Sequence, residues 1–108
     1  MKADFCYSVT SFPFPIQRSI KISKNGKVEL FQPEYYHYRS QDLEEAYHDA
    51  GQFYWGTKQA FNSENSILSD VVIPYILPRY LVQDIDSPED WVRAEIMHQV
   101  IQKMNRKL

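Results

Sequence analysis

The sequence predicts a single α/β domain over residues 1–108, and three observations carry that expectation. A short apolar, β-branched run near the amino end reads as a strand, an Asn25-Gly26 pair joins two alternating runs, and the closing stretch repeats apolar residues at helical spacing. Hydrophobic residues make up 44% of the chain and aromatic ones 15%, which supports a modest core and argues against disorder. A chain of 108 residues lies below the size at which domains divide.

Phe5-Cys6-Tyr7-Ser8-Val9-Thr10 is the first expected strand, so close to Met1 that the domain reads as beginning in mid-sheet, where a longer protein would already be under way. Pro13 and Pro15 forbid a helix or a central strand over residues 11–18, which are expected to cross in extended form. Residues 19–23 and 28–31 alternate, and Asn25-Gly26 between them is a strong hairpin signal. Residues 32–40 form an aromatic loop. Its tyrosines serve either an interface or a sugar-binding wall, or else pack the back of the hairpin.

Ser40 is placed to cap a short acidic helix. Residues 50–56 read as an aromatic strand with Gly51 and Gly56 near its ends. A helical turn over 57–62 and a loop over 63–66 follow, and residues 67–78, with two prolines, are expected as strand and turn. From Pro88 to about Lys103 the apolar positions Trp91, Ala94, Ile96, Met97, Val100 and Ile101 predict an amphipathic helix with one buried face. Its basic tail suits a helix carboxyl end.

Several function classes are disfavoured. With 12 basic and 14 acidic residues the net charge is -2, which gives no footprint for nucleic acid. Cys6 is the single cysteine, so neither an intrachain disulfide nor a Cys/His zinc pattern can be built. No apolar run approaches the ~20 residues of a membrane span and no signal-peptide core is present, so the expectation is a cytoplasmic chain that does not engage membrane. No P-loop, GxSxG or HExxH pattern occurs.

The stretch from Tyr80 to Trp91 is the most informative. Tyr80-Leu81-Val82-Gln83 is apolar and β-branched enough for a buried strand, and Ser87-Pro88-Glu89-Asp90 supplies an N-cap serine, a proline at the first helical position and acids in the first turn. Asp84 and Asp86 would then lie at a strand-to-helix junction. In extended backbone they point to the same side, roughly 6–7 Å apart, which suits joint oxygen coordination of a hard cation. The competing reading is that Asp86 helps cap the helix and Asp84 is solvated.

Two stretches together carry a family resemblance. Arg39-Ser40-Gln41-Asp42-Leu43-Glu44-Glu45-Ala46-Tyr47-His48-Asp49-Ala50-Gly51-Gln52-Phe53-Tyr54-Trp55-Gly56, followed after a spacer by Asp84-Ile85-Asp86-Ser87-Pro88-Glu89-Asp90-Trp91, resembles the carboxyl-terminal half of the acylneuraminate cytidylyltransferases, and within them the bacterial pseudaminic acid branch. Phe12-Pro13-Phe14-Pro15-Ile16-Gln17-Arg18 fits the same branch. The resemblance implies part of a Rossmann-like nucleotide-diphospho-sugar transferase fold with an inserted β-hairpin dimerisation element, here residues 19–50. It also implies a reaction coupling CTP to a nine-carbon acidic sugar with Mg²⁺. On this resemblance Asp84 and Asp86 are the metal ligands and Arg39, with Gln41 beside it in the motif, contacts the anionic sugar. Gln52 and Tyr54 line the sugar pocket or, alternatively, pack in the core.

The family's amino-terminal half, with its glycine- and basic-rich triphosphate loop, has no counterpart in these 108 residues. The chain is therefore expected to be a remnant inactive by itself, one part of a split enzyme, or an oligomerising or ligand-binding module. All three expect a homo-oligomer or a partner to cover exposed strand surface.

Overall fold

A computed structural model describes residues 3–64 and 71–106, and these form two compact units. The first unit comprises Met1–Thr10 and Asp49–Leu108, and the second Ser11–His48. Among the described residues the strands and α-helices are β1 (Phe5–Ser11), β2 (Ile20–Ile22), β3 (Val28–Leu30), β4 (Tyr47–Gly56), α1 (Lys58–Asn62), β5 (Val72–Ile76) and α2 (Pro88–Arg106).

The first unit is built on a three-stranded sheet ordered β4-β1-β5. β1 and β5 run parallel, from Phe5 opposite Val72 to Val9 opposite Ile76. Pro74 faces Tyr7 within this pairing, and it is tolerated because β5 is an edge strand whose other side asks for no amide. The start of the segment expected as strand and turn over 67–78 lies outside the described residues. Phe5, Val9, Ala50 and Ala60 form the small apolar core, with Ser8 and Thr10 buried among them. Thr10 Oγ1 donates to the Leu77 carbonyl at 2.8 Å, which satisfies one of those buried hydroxyls.

Thr57 caps α1, its Oγ1 accepting the Ala60 N–H at 3.0 Å, as the run of 57–62 predicts. The Phe5 and Phe61 rings meet edge to face at 5.3 Å beside Gly56. A Cβ on Gly56 would fall 2.7 Å from Phe5 Cδ1 and 2.8 Å from Phe61 Cε2, so the glycine is what lets the strand end lie against these rings.

Two expectations in this unit are corrected. Residues 80–83 are not a buried strand: Arg79–Leu81 form a 3-10 turn after Pro78, with Tyr80 and Leu81 exposed. A proline-led turn satisfies the local backbone by i to i+3 bonds, such as Leu81 N–H to Pro78 O at 3.0 Å, and leaves no ladder to join. Asp84 and Asp86 therefore follow a turn, not a strand. Nor does α2 bury a whole face. Ala94, Met97 and Ile101 are half-buried beside Gln52, Tyr80, Leu81 and Gln83, while Trp91, Val92, Ile96 and Val100 stand exposed. Among the described residues no helix is long and apolar enough to cross a membrane.

The second unit holds the β2–β3 hairpin, in the register Ile20↔Leu30, Lys21↔Glu29, Ile22↔Val28. The Asn25-Gly26 turn is closed by Ser23 N–H to Lys27 O at 2.8 Å and by Gly26 N–H to Ser23 O at 2.9 Å. Alternation gives one face to Ile20, Ile22, Val28 and Leu30 and the other to Lys21, Glu29 and Phe31. On the polar face Lys21 Nζ lies 4.0 Å from Glu29 Oε2 and 5.5 Å from the Phe31 ring centre. The aliphatic face has no such cover: Ile22 is 76% exposed and Val28 65%.

Short 3-10 turns at Ile16–Arg18, Pro33–Tyr35 and Ser40–Asp42 complete this unit. The first corrects the expectation of a wholly extended 11–18, since the restriction imposed by Pro13 and Pro15 ends with Pro15. The last replaces the helix that Ser40 was expected to cap. Ser40 Oγ instead accepts Arg18 Nη1 at 3.1 Å and makes no cap bond.

Candidate functional site

The loop before α2 is fixed by the helix it starts. Ser87 Oγ accepts the Asp90 N–H at 3.3 Å, while Asp90 Oδ2 accepts the Ser87 N–H and the Asp86 N–H, both at 3.0 Å. This reciprocal pair is a capping box with aspartate in the third helical position, and it satisfies amides that a helix start leaves open. Gln83 Nε2 adds bonds to the Asp84 carbonyl at 2.8 Å and to Asp90 Oδ1 at 3.4 Å. Held by these amides, first of all that of Asp86, the Asp90 carboxyl titrates below the usual aspartate range.

Because Asp90 does the capping, the Asp84 and Asp86 side chains are left for other work. Both are exposed and they lie side by side. The Asp84 charge pushes the Asp86 carboxyl above its usual range, and a hydrogen bond between the two carboxyls adds to that push. Two adjacent hard-oxygen groups that repel when both are ionised are what a divalent cation would relieve. Among the described residues no group of three or more His, Cys, Asp or Glu side chains is gathered to cage a metal. A two-carboxylate seat suits Mg²⁺, which keeps waters and phosphate oxygens in its shell, better than a transition metal.

β4 brings a second group to the same place. Gly51, at φ 71°, opens a bulge in the strand, and a Cβ there would lie 3.9 Å from Asp84 Oδ1. Asp49 Oδ1 accepts the Gly51 N–H at 2.8 Å, and the Tyr54 hydroxyl donates to Asp49 Oδ2. That bond, with desolvation and the charges of Asp49, Tyr7 and Asp84, raises the Tyr54 phenol above its ordinary pKa. The Tyr7 ring lies 5.5 Å from that of Tyr54. Tyr54 is exposed and lies outside the buried core. Gln52, two residues earlier, turns its Nε2 to the Leu81 carbonyl at 2.7 Å and lines a cavity of about 230 Å³ with Leu81, Met97 and His98. It straps β4 to the turn that leads to Asp84.

Of the residues singled out in the sequence, Gln52, Tyr54, Asp84 and Asp86 thus belong to the first unit, and Arg39 and Gln41 to the second. Arg39 Nε pairs with Asp42 Oδ2 at 3.1 Å on the exposed 3-10 turn that also carries Gln41. Arg39 lines a concavity of about 630 Å³ together with Gln17, Arg18, Tyr36 and Tyr38. Arg18 donates to the Tyr38 carbonyl as well as to Ser40 Oγ, and Gln17 Nε2 donates to the Glu44 carbonyl at 3.2 Å. Among the described residues, Gln17 Oε1 is buried without a hydrogen-bond partner. Arg18, Gln17 and Asp49 were not singled out from sequence. Asp49 carried a readable signal, an Asx residue two before a glycine at a strand bulge; the other two depend on where the 3-10 turns fold.

No protein-family model matches the chain. Among curated proteins it is 41% identical over 99 residues to a pseudaminic acid cytidylyltransferase of Campylobacter jejuni subsp. jejuni serotype O:23/36 (strain 81-176), a match covering 92% of this chain and 43% of that protein. The corresponding protein of serotype O:2 gives the same identity and coverage. A Helicobacter pylori protein described as pseudaminic acid cytidylyltransferase and UDP-2,4-diacetamido-2,4,6-trideoxy-beta-L-altropyranose hydrolase is 37% identical over 79 residues, 73% of this chain and 15% of that one. The chain therefore spans less than half the length of the curated relatives it matches. Across nearly all of its own 108 residues, it is a relative of the pseudaminic acid cytidylyltransferases.

Proposed function

We propose that the chain carries the cation and acidic-sugar side of a site that joins CTP to a nine-carbon acidic sugar of the pseudaminic acid type. The observation that carries this reading is the convergence, in one unit, of the Asp84/Asp86 pair with the Asp49–Tyr54 pair. The parallel β1–β5 pairing and the helix that starts beside the acids support the Rossmann-like fold the reading requires.

In that reaction the sugar hydroxyl oxygen bonds to the α-phosphorus of CTP, the bond to the bridging β-phosphate oxygen breaks, pyrophosphate leaves, and the hydroxyl proton is taken up by base. Asp84 and Asp86 would hold the Mg²⁺, which when bound offsets phosphate charge and aligns the α-phosphate. Tyr54, a neutral phenol whose proton is held by Asp49, offers sugar hydroxyls a fixed acceptor. Arg39, in the second unit, carries a guanidinium suited to a carboxylate. Its present pair with Asp42 is exposed on both sides, so an incoming carboxylate displaces it at little cost. Gln41 lies on the same 3-10 turn as Asp42.

The reading assigns binding, not turnover, to these residues by themselves, since no glycine- and basic-rich triphosphate loop occurs among them. It also assigns a partner: the aliphatic face of Ile20, Ile22, Val28 and Leu30 is fitted to a second copy of itself.

The test is titration of the ¹⁵N-labelled chain with Mn²⁺, beside the Asp84→Ala, Asp86→Ala variant. Line broadening centred on residues 84–86 and reaching Tyr54, lost in the variant, is the expected result; broadening elsewhere overturns the reading. Pyrophosphate release by the chain with CTP, Mg²⁺ and pseudaminic acid would overturn the assignment of binding without turnover.

A further inference from the structure

We propose that Ser8 is the positioning residue of this site: its buried hydroxyl holds the β4 bulge that directs Tyr54 and Asp49 toward Asp84. The inference rests on the cation-and-sugar reading above for its purpose, and on geometry for its substance.

Ser8 lies in β1, the middle strand of its sheet, with none of its surface exposed. A hydroxyl taken out of water must find partners. Ser8 Oγ finds two, the consecutive backbone N–H groups of Gln52 and Phe53, at 3.2 and 3.3 Å. In a regular strand consecutive amides point to opposite edges. Here both converge on one oxygen, which the left-handed Gly51 just before them makes possible. Upstream of these amides Asp49 accepts the Gly51 N–H, and downstream the Tyr54 hydroxyl returns to Asp49. Residues 49–54 thus form a loop within a strand, closed on itself by Asp49 and attached to the sheet by Ser8. Remove the Ser8 oxygen and two amides lose their acceptor. The strand can recover pairing by undoing the bulge, and a one-residue slip would send Tyr54 to the other face of the sheet.

Thr10 offers the control. It lies on the same strand, is 2% exposed, and its hydroxyl also makes a long-range bond, but to the Leu77 carbonyl just past β5 and not to the amides of Gln52 and Phe53. Loss of either hydroxyl weakens the sheet, while only that of Ser8 reaches Tyr54.

The experiment compares Ser8→Ala, Ser8→Thr and Thr10→Val variants of the 108-residue chain with the parent by NMR, without metal and with Mn²⁺. Expected for Ser8→Ala are shifted Gln52 and Phe53 amides, a displaced Tyr54 ring signal, and loss of Mn²⁺ broadening at Tyr54 while broadening at 84–86 keeps its midpoint. Ser8→Thr, which retains the oxygen, restores Tyr54, and Thr10→Val leaves Tyr54 in place at a similar loss of unfolding midpoint. An unmoved Tyr54 in Ser8→Ala, or an equal displacement in Thr10→Val, overturns the proposal. Should Mn²⁺ leave residues 84–86 untouched in the parent, the cation reading fails by itself, and the metal-free Tyr54 signal still decides the role of Ser8.

Discussion

Ser87 and Asp90 cap each other, the serine oxygen taking the aspartate amide at 3.3 Å and the aspartate oxygen taking the serine amide at 3.0 Å. The same Asp90 oxygen takes the Asp86 amide, so the helix start and the acidic loop form one hydrogen-bonded assembly. Ser87→Ala is expected to lower stability by about 1 kcal/mol in urea unfolding, the usual cost of a lost cap. The Asp90 carboxyl is held low, so its contribution is complete above the ordinary aspartate value of about 4 and is lost as pH falls through the lower folded value. Parent and Asp90→Asn should accordingly differ in stability at neutral pH and converge in acid; a gap that persists at low pH would refute the carboxylate's role.

Gly56→Ala tests the closest packing in the first unit. The added methyl would stand 2.7 Å from one phenylalanine ring and 2.8 Å from the other, with Phe5 96% removed from solvent and unable to swing aside. Overpacking of this kind costs about 1–3 kcal/mol. Thermal unfolding is the measurement, and an unchanged midpoint would mean that the two rings can part.

Tyr54 should ionise later than an ordinary phenol. The Asp49 bond and the neighbouring acids favour its protonated form, so this contribution to stability holds below the ordinary tyrosine value of about 10 and disappears as pH rises through the higher folded value. In ultraviolet titration the phenolate signal absent from Tyr54→Phe identifies Tyr54 within the parent curve. Asp49→Asn should move that signal to lower pH. If it stays where it was, the Asp49 contact is not what holds the phenol.

Ile22→Lys places a charge on the aliphatic face of the hairpin. Since Ile22 is 76% exposed, the fold should survive, while a dimer formed through that face should fall to one-chain mass in light scattering. An oligomer of unchanged mass would move the interface away from β2 and β3.

Local chemistry was legible, and assembly was not. Asn25-Gly26 between alternating runs specified its hairpin, Ser87-Pro88 specified a helix start, and Phe5 to Thr10 specified a strand, because in each case the deciding forces act within a few residues. Tyr80 to Gln83 had strand composition, but Pro78 and the lack of a neighbour made it a turn. The acidic pair at 84 and 86 could be named from sequence. What gave it company could not, because Gly51, Asp49 and Tyr54 reach Asp84 through a bulge whose acceptor, Ser8, is more than forty positions away.

The parallel pairing of β1 with β5 has a consequence for how the chain folds. Its flanking bond from Thr10 to Leu77 joins residues 67 positions apart, so most of the chain must be gathered before the first contact of that pairing is made. Loop-closure entropy rises with such separation and non-local strand pairing is slow, whereas the hairpin closes over a handful of residues. The hairpin with its bare aliphatic face is thus formed early, ahead of the sheet on which the acidic loop depends. Association through that face, as proposed above, would not have to wait for the site to form.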